Sequence, residues 1–599
     1  MNIYLKLRNN IFYPLSFLSL FLLITAKEAY AETDIQPQQL IVNTLSASEI
    51  SLSWQAPQDS ATVKEYLIFR NGEQVATTQE TTFVDTELNA NSSYSYYIVA
   101  TDEQSAPGEP SNSDTATTLV SNDNDGLNNG SVITLVNLNL RNVCGVRTIA
   151  DVPAENLDSC LDQVIEAFTL KESVEDIRAF VARLRRQEDP ALVDLGMRLF
   201  HSKSLSQNND TACSSCHHPA IGCGSDGLSL PIGVDADNPD LLGPGRADGN
   251  TVPLVGRHSP QICNSALWVH SMFWDQRIVL EDFRTDPVGQ VSTKEIRTPE
   301  RDVTRSMAAE VDSADPLRLL IAQAHFPVTA AEEMGDTTGF DSPQSYRNHI
   351  ATKLTTDWKD EFNQVYGSED VTFMRTARAL AAYEASFLFI DNPFFDYVGG
   401  DRDSLTEDEK RGALFFYTGA GCSNCHDGAL FTPDRTRPPL YPQIGANAVA
   451  DGNNQEQFRM PSLLNVGLTA PYGDKGVFPT LERVIEHYSN THQSLLDYYE
   501  NNETCDLPQF QHLSDEECES VVGGGKEYIL ARMETDGTID APTPNFTEQE
   551  VAYLAAFLHS LTDKSAMAGS NEINALIPPR DGGPDGNQLD AEDKDGNPL

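Results

Sequence analysis

Two copies of the pattern Cys-x-x-Cys-His constrain this chain more than any other feature of its sequence. The first copy is CSSCH, ending at His217, and the second is CSNCH, ending at His426. Two cysteines one helical turn apart can each form a thioether with a vinyl group of haem, and the adjacent histidine then reaches the iron. The pattern therefore predicts two covalently bound c-type haems. The predicted attachment residues are Cys213, Cys216, His217, Cys422, Cys425 and His426.

Each motif follows a segment with the apolar spacing of a helix. DPALVDLGMRLFHS precedes the first motif and TEDEKRGALFFYTGAG precedes the second. This shared layout indicates an internal duplication, and further helical patterns such as SVEDIRAFVARLRRQ predict a mainly α-helical chain beyond residue 131. A zinc site or a thioredoxin-like pair is the alternative interpretation of either motif, but no partner ligands stand at a suitable spacing.

The charge and the amino terminus indicate an exported protein. The net charge is 41 − 89 = −48, which argues against nucleic acid or an anionic membrane surface as a partner. Residues 1–31 combine Lys6 and Arg8, an apolar stretch and small residues at Ala29 and Ala31, the pattern of a cleaved signal peptide. A membrane anchor is the alternative, and no later segment has the ~20 apolar residues that span a bilayer. We expect a periplasmic or secreted protein with no transmembrane anchor after signal cleavage.

Six of the ten cysteines lie outside the haem motifs. An even number in an oxidising compartment suggests disulfides. Near neighbours in sequence suggest Cys144 with Cys160 and Cys505 with Cys518, which leaves Cys223 for Cys263. Free buried thiols are the alternative.

Residues 36–120 differ from the rest of the chain in their pattern of polar and apolar residues. Short alternating segments, including ISLSWQAP, EYLIFRNGEQVA and SYSYYIVATDE, are separated by turn residues, as in an antiparallel β-sandwich. This region resembles a fibronectin type III domain, which would serve as a spacer or dock to a partner, polysaccharide or surface. Residues 121–131 form a polar linker, and residues 566–599 are predicted to be a disordered acidic tail.

A series of ordered blocks from about Leu195 to Asp563 resembles the bacterial di-haem cytochrome c peroxidase family, which includes the MauG-type enzymes. The blocks include LGMRLFHSKSLS, GRHSPQICN, FWDQR, QAHFPVTAAEEM, FRMPSLLNVGLTAPYGDKGVFPTLERVIEHY and AFLHSLTD. The resemblance implies two cytochrome-c-like helical domains in tandem, over residues 132–400 and 401–565. It also implies that hydrogen peroxide reacts at the haem bound by His217, while the haem bound by His426 transfers electrons.

The same resemblance assigns three catalytic positions. Trp274 in FWDQR matches the family's tryptophan between the haems, and a core aromatic residue is the ordinary interpretation. Glu333 matches the family's distal acid, a general acid–base for peroxide cleavage, and would otherwise be one of a solvated pair with Glu332. Gln323 matches the distal glutamine that orients peroxide.

Two departures from the family pattern concern the iron ligands. Many peroxidases of the family carry a histidine that blocks the first haem, but no histidine stands between His218 and His258. We therefore expect a first haem that is five-coordinate or bound only to water. Tyr488 stands where typical peroxidases have methionine and MauG-type enzymes have tyrosine. It is the predicted sixth ligand of the second haem, with His487 and His492 as rivals.

A further departure concerns calcium. His258 replaces the asparagine that binds calcium in the family, while Thr469 and Pro471 match its carbonyl donors. Asp474-Lys475 replaces a more usual His-Asp pair. Calcium binding by His258, Thr469 and Pro471 is therefore an open expectation.

Three main functions remain in view at this point, besides adhesion with haem in a structural role, which leaves the distal residues unexplained. The first is an exported di-haem peroxidase that takes electrons from a small cytochrome or copper protein. The second is a MauG-like enzyme that uses the oxidant on a residue of a partner protein. The third is a non-catalytic di-haem electron-transfer protein.

Overall fold

The structure is a computed structural model of the chain. It describes residues 35–44, 50–57, 63–86, 88, 93–102, 107–117, 138–187, 189–249, 255–281, 295–432, 436–437, 458–514, 516–518, 545–580 and 582–599. The predicted signal peptide (1–31) and linker (121–131) lie outside the described residues. These residues fall into two units, one of β-strands within 35–117 and one, mainly helical, within 138–599.

The β-unit consists of two antiparallel sheets around one apolar core. Its strands are β1 (Gln38–Thr44), β2 (Ile50–Gln55), β3 (Val63–Arg70), β4 (Glu73–Thr78), β5 (Thr82–Asp85), β6 (Ser93–Asp102), β7 (Pro107–Pro110) and β8 (Asp114–Thr117). One sheet has the order β1-β2-β5 and the other has β4-β3-β6-β7, with β8 also paired to β6. Trp54 packs edge-on against Tyr66 at 5.3 Å between ring centroids. The predicted sandwich is confirmed.

The second unit is built mainly from helices. The helices are α1 (Leu140–Cys144), α2 (Leu157–Ala167), α3 (Leu170–Gln187), α4 (Pro190–Phe200), α5 (Arg301–Glu310), α6 (Arg318–Gln323), α7 (Pro343–Tyr366), α8 (Phe373–Glu384), α9 (Pro393–Val398), α10 (Glu407–Thr418), α11 (Leu481–Ser489), α12 (Thr491–Glu500), α13 (Glu503–Asp506), α14 (Glu548–His559) and α15 (Asn571–Asn574). Short strands join them: β9 (Ser271–Met272), β10 (Ile278–Glu281), β11 (Glu295–Arg297), β12 (Thr436–Arg437) and β13 (Phe458–Arg459). Within the described residues, no helix is long and apolar enough to span a bilayer.

The internal duplication is visible in two helix crossings. The helix before each haem motif crosses a helix that follows it, α4 against α8 and α10 against α14. A glycine lies at each crossing because the backbones approach too closely for a side chain. A Cβ atom on Gly196 would lie 1.9 Å from the carbonyl oxygen of Ala379, and one on Gly412 would lie 1.9 Å from that of Tyr553. The two halves therefore repeat one supporting frame for a Cys-x-x-Cys-His loop.

Gly412→Ala should destabilise the second half. The added methyl group would also lie 2.7 Å from Cβ of Phe557, so the crossing must open, and overpacking of this kind costs about 1–3 kcal/mol or more. That exceeds the ~1 kcal/mol by which alanine favours a helix over glycine. Denaturant unfolding of the haem-loaded protein measures the loss. Gly256→Ala is the control, since its Cβ atom would meet nothing within 4 Å; equal midpoints for the two variants would contradict the prediction.

The ends of the helical unit do not follow the predicted boundaries. Helix α2, placed by the sequence in a first domain of residues 132–400, packs against α10 of the second half. Lys410 pairs with Asp158 at 2.8 Å, and Arg411 donates to the carbonyl of Ile149 at 2.9 Å. The amino-terminal helices of this unit thus support the second haem motif, so the two halves are not contiguous in sequence.

The carboxyl-terminal segment follows the second half in sequence but packs against the first half. The prediction that residues 566–599 are disordered was wrong for those residues of the segment that the structure describes. Leu589 and Ala591 are buried in one small cluster with Ala212 and Leu242. Asn587 accepts a backbone hydrogen bond from Lys203 at 2.8 Å. The segment lacks apolar periodicity because it docks mainly through its backbone, which a hydrophobic pattern does not report.

The three predicted disulfides are confirmed. Cys144 is bonded to Cys160, Cys223 to Cys263 and Cys505 to Cys518, with Cα–Cα distances of 5.5, 5.6 and 6.0 Å. The four motif cysteines are free of disulfides.

Candidate functional site

The first motif forms a short 3-10 turn, Cys213–Ser215, that ends just before His217. The Nδ1 atom of His217 donates to the carbonyl of Gly224 at 3.0 Å, and the hydroxyl of Ser259 lies 3.2 Å from the same nitrogen. Ser259 also donates to the carbonyl of Cys216 at 2.6 Å. The disulfide of Cys223 holds the loop that supplies Gly224. The ring is thus fixed by Nδ1, and Nε2 is the atom that would bind iron in an attached haem.

The second motif repeats this arrangement. Cys422–Asn424 form the 3-10 turn, and Nδ1 of His426 donates to the carbonyl of Phe431 at 3.1 Å. Burial lowers the pKa of both His217 and His426, which favours the neutral imidazole that iron ligation requires.

These residues fit covalently attached haem. Each half-buried pair of cysteines is free to form thioethers, and each motif histidine presents Nε2 with its other nitrogen already bonded. The structure thus supplies two attachment sites of the same construction, one in each half of the helical unit.

Glu333 belongs to the half of the helical unit that carries the first motif. Burial raises the pKa of the Cys213 and Cys216 thiols, and the negative charge of the Glu333 carboxylate adds to the rise. The backbone at Gly233 approaches so closely that a Cβ atom there would lie 2.6 Å from the carbonyl oxygen of Glu333. Burial is the main cause that raises the pKa of Glu333 to about 6, and the positive charges of Arg277 and Arg257 oppose the rise. The pKa of this carboxyl therefore lies above the ordinary value of a glutamate.

Gln323 ends α6, and the chain then turns towards Glu333. The carbonyl of Gln323 accepts from the backbone N–H of Phe326 at 3.0 Å. Arg347 stabilises this turn. Its side chain is fully buried and pairs with Glu300 at 2.6 Å. Arg347 also donates to the carbonyl of His325 at 2.7 Å. The segment that carries Gln323 and Glu333 is thus anchored by an ion pair whose arginine is fully buried.

Trp274 lies where the two halves meet. Its ring centroid is 4.9 Å from that of Phe458 in the second half, and its carbonyl accepts from the N–H of Arg459 at 2.6 Å. On the other side, the guanidinium of Arg257 lies 3.9 Å from the ring centroid. The indole is therefore held between residues of both halves, with a cation over its face.

Tyr488 is on α11, and 40% of the residue is exposed. Its neighbour His487 is fully buried, with Nδ1 hydrogen-bonded to the hydroxyl of Ser494 at 3.0 Å and its ring 4.7 Å from that of Phe478. His487 is therefore held in the packing under the helix. Tyr488 is thus exposed and His487 lies in the core, and the choice of ligand between them stays a prediction.

The residues predicted for calcium lie along one junction of the two halves. His258 donates its backbone N–H to the carbonyl of Asp474 at 2.9 Å. Thr469 and Pro471 belong to the same stretch as Asp474, and Gln261 in the first half donates to the carbonyl of Leu464 at 3.1 Å. The imidazole of His258 bonds through Nδ1 to the carbonyl of Leu228 at 2.8 Å.

Sequence reasoning missed four charged residues of this region. Arg257 and Arg277 act on Glu333, Arg347 anchors the turn beside it, and Lys475 is buried at the junction. Arg257 and Arg277 stand inside the blocks GRHSPQICN and FWDQR, and Lys475 was noted only as a substitution. The feature of the sequence that could have identified the arginines is a charged residue close to an aromatic one.

Two tandem attachment sites of one construction define a di-haem c-type cytochrome fold. Residues 190–403 match the family model described as di-haem cytochrome c peroxidase, and residues 36–114 match the fibronectin type III domain. Residues 190–403 therefore belong to the di-haem cytochrome c peroxidase/MauG family, and residues 36–114 form a fibronectin type III domain.

Relatives of both functional kinds are similar to this chain. The methylamine utilization protein MauG of Methylorubrum extorquens is 27% identical over 342 residues, which cover 53% of this chain and 77% of that protein. The cytochrome c551 peroxidase of Nitrosomonas europaea is 25% identical over 315 residues, which cover 50% and 73%. A solved structure, a MauG-like protein associated with microbial copper homeostasis, is 23% identical, with coverage of 64% and 93% and a TM-score of 0.39.

Proposed function

We propose that this chain is an exported peroxidase that reduces hydrogen peroxide at the haem of Cys213 and Cys216, with electrons that enter through the haem of Cys422 and Cys425. The overall change is H2O2 + 2 e− + 2 H+ → 2 H2O. A small cytochrome or copper protein would supply the electrons. The observation that carries the proposal is Glu333, a carboxyl beside the first motif whose pKa is raised to about 6.

The chain's own groups handle the protons. When bound, haem supplies the iron at which the O–O bond is cleaved. The Glu333 carboxylate accepts a proton from the near oxygen of peroxide and returns it to the departing hydroxyl, which is general acid–base catalysis by one group. A base of this kind works best when its pKa lies near the working pH, and burial gives Glu333 that value. The amide of Gln323 donates to peroxide and orients it.

Electron delivery depends on Trp274. Its contacts with Phe458 and Arg459 make the indole a bridge between the halves, and indole is among the more easily oxidised side chains. The absence of any histidine between His218 and His258 supports a first haem that is open to peroxide without prior reduction.

The test is to add peroxide to the fully oxidised protein and to follow both haem spectra. A peroxidase with an open first haem reacts at once, and its diferric EPR spectrum contains a high-spin signal. Steady-state turnover with reduced cytochrome c then measures electron input. Two low-spin signals and no reaction with peroxide would instead identify a non-catalytic electron-transfer protein.

A MauG-like role is the second candidate, and ligation of the second haem by Tyr488 would favour it. A phenolate is a hard anionic ligand that stabilises oxidised iron and lowers the reduction potential relative to methionine. Such a second haem would store oxidising equivalents for use on a residue of a partner protein. Rapid peroxide reaction with poor turnover of reduced cytochrome c is the result that distinguishes this role.

Tyr488→Phe should alter the spectrum and raise the potential of the second haem. The reason is that phenylalanine offers no oxygen ligand, whereas the rest of the ring is kept. Visible absorption and redox titration measure the change. His492→Asn is the matched control for the rival ligand; an altered second-haem spectrum in that variant, with Tyr488→Phe unchanged, would refute the assignment.

A further inference from the structure

A buried lysine joins the two haem-bearing halves. Lys475 belongs to the stretch that follows the second motif, and only 2% of the residue is exposed. Its Nζ atom donates to the carbonyl of Gly256, in the first half, at 2.7 Å. Lysine is among the residues least often buried, because its ammonium must find partners to replace water. A lysine that is buried to this extent therefore indicates a specific polar contact.

The turn that carries Lys475 is seated on the first half through its backbone as well. Ser229 donates its hydroxyl to the carbonyl of Lys475 at 2.5 Å. The next residue, Gly476, has φ +55° and lies so close to His258 that a Cβ atom would meet Nδ1 at 2.9 Å. Only glycine fits both this conformation and this space. The position of the ammonium is thus set by contacts on both sides of it.

These residues do not fit calcium. Calcium takes six to eight hard oxygen ligands, usually with carboxylates among them, whereas position 258 supplies an imidazole. Nδ1 of His258 is already bonded to the carbonyl of Leu228 at 2.8 Å. The ammonium of Lys475 already occupies the carbonyl of Gly256, two residues before His258, and its positive charge repels a divalent cation.

We propose that the ammonium of Lys475 is the cation that joins the two halves, and that the joint does not depend on calcium. The expectation that His258, Thr469 and Pro471 bind calcium is replaced by a fixed charge supplied by the chain itself. This inference concerns the joint alone and stands whether or not the peroxide chemistry proposed above is correct.

The contact between Lys475 and Gly256 also affects Trp274, the residue that lies between the two halves. Gly256 directly precedes Arg257, whose guanidinium lies 3.9 Å from the ring centroid of Trp274. By holding the carbonyl of Gly256, Lys475 fixes the backbone from which Arg257 extends. Lys475 is therefore a positioning residue for the Arg257–Trp274 pair.

The experiment compares calcium and lysine in the haem-loaded protein. For the natural sequence we expect no heat of binding on titration with calcium chloride, and the same Tm and the same two haem potentials with EGTA as with calcium. Lys475→Met should lower the Tm by about 2 °C, since the backbone carbonyl of Gly256 loses a charged donor. It should also shift the potential of at least one haem, because Lys475 holds the backbone where the two haem-bearing halves meet.

Lys353→Met is the matched control. Lys353 also donates to a backbone carbonyl, that of Ser206, at 2.8 Å, but within the first half. It should lower the Tm without moving the second haem's potential relative to the first. Calcium binding with a rise in Tm in the natural protein would overturn the proposal, as would haem potentials that respond equally to both lysine variants.

Discussion

Glu333→Gln should slow the reaction of the oxidised protein with peroxide by about 10²–10⁴-fold, the usual contribution of one general acid–base. Glutamine keeps the size and the hydrogen-bonding capacity of the side chain but cannot accept a proton. Stopped-flow absorption at the first haem measures the rate constant. Binding of a neutral ligand such as nitric oxide to the reduced first haem should be unchanged, which shows that access to the haem is intact.

The pH dependence separates a proton-transfer role from a structural one. Burial raises the pKa of Glu333 to about 6, so the carboxylate is present above that pH and is protonated below it. The rate constant should therefore fall about tenfold per pH unit below pH 6, as follows from a single titrating base. A carboxyl without this environment would show the same fall only near its ordinary pKa of about 4.3.

Glu332→Gln is the matched control, because Glu332 is adjacent and exposed. Removing its charge also removes one of the influences that raise the pKa of Glu333. We therefore expect the pH profile to shift slightly towards lower pH at an unchanged maximum rate. Equal losses of rate in the two variants, or a profile that persists in Glu333→Gln, would rule out Glu333 as the base.

Features that depend on short stretches of chain could be predicted from the sequence. Cys-x-x-Cys-His contains all the groups needed for haem attachment, and the disulfides of Cys144 and Cys505 close short loops with nearby partners. The strands of the β-unit alternate in polarity and end at turn residues. In each case the residues that determine the outcome are close neighbours in the chain.

Features that depend on contacts between distant segments could not be predicted. The docking of Leu589 and Ala591 beside Ala212 uses two apolar side chains and backbone hydrogen bonds, which leave no periodic pattern. The pKa of Glu333 depends on Arg257 and Arg277, which are distant in sequence. A spacing rule can nominate Glu333, but only the fold shows the burial that gives it a useful pKa.

Replacing the indole of Trp274 and removing the cation above it should change electron transfer in opposite directions. In Trp274→Phe the ring is no longer readily oxidised, so transfer from the second haem should slow by about tenfold or more, since 1.4 kcal/mol of added barrier already has that effect. In Arg257→Gln the guanidinium at 3.9 Å is lost. A cation over an aromatic face contributes about 0.5–2 kcal/mol and opposes positive charge on the ring, so transfer should quicken by about two- to thirtyfold.

The measurement is the rate at which the reduced second haem is reoxidised after peroxide is mixed with the half-reduced protein. It should be made above pH 7, because Arg257 also holds down the pKa of Glu333 and its loss shifts that titration upwards. Trp268→Phe is the control, since Trp268 lies in the same loop under a guanidinium, that of Arg459, at 3.5 Å. If Trp274→Phe transfers electrons as fast as Trp268→Phe, Trp274 is a packing residue. If Arg257→Gln slows electron transfer, the main effect of Arg257 is to hold Trp274 in place, and its effect on the oxidation of the indole is smaller.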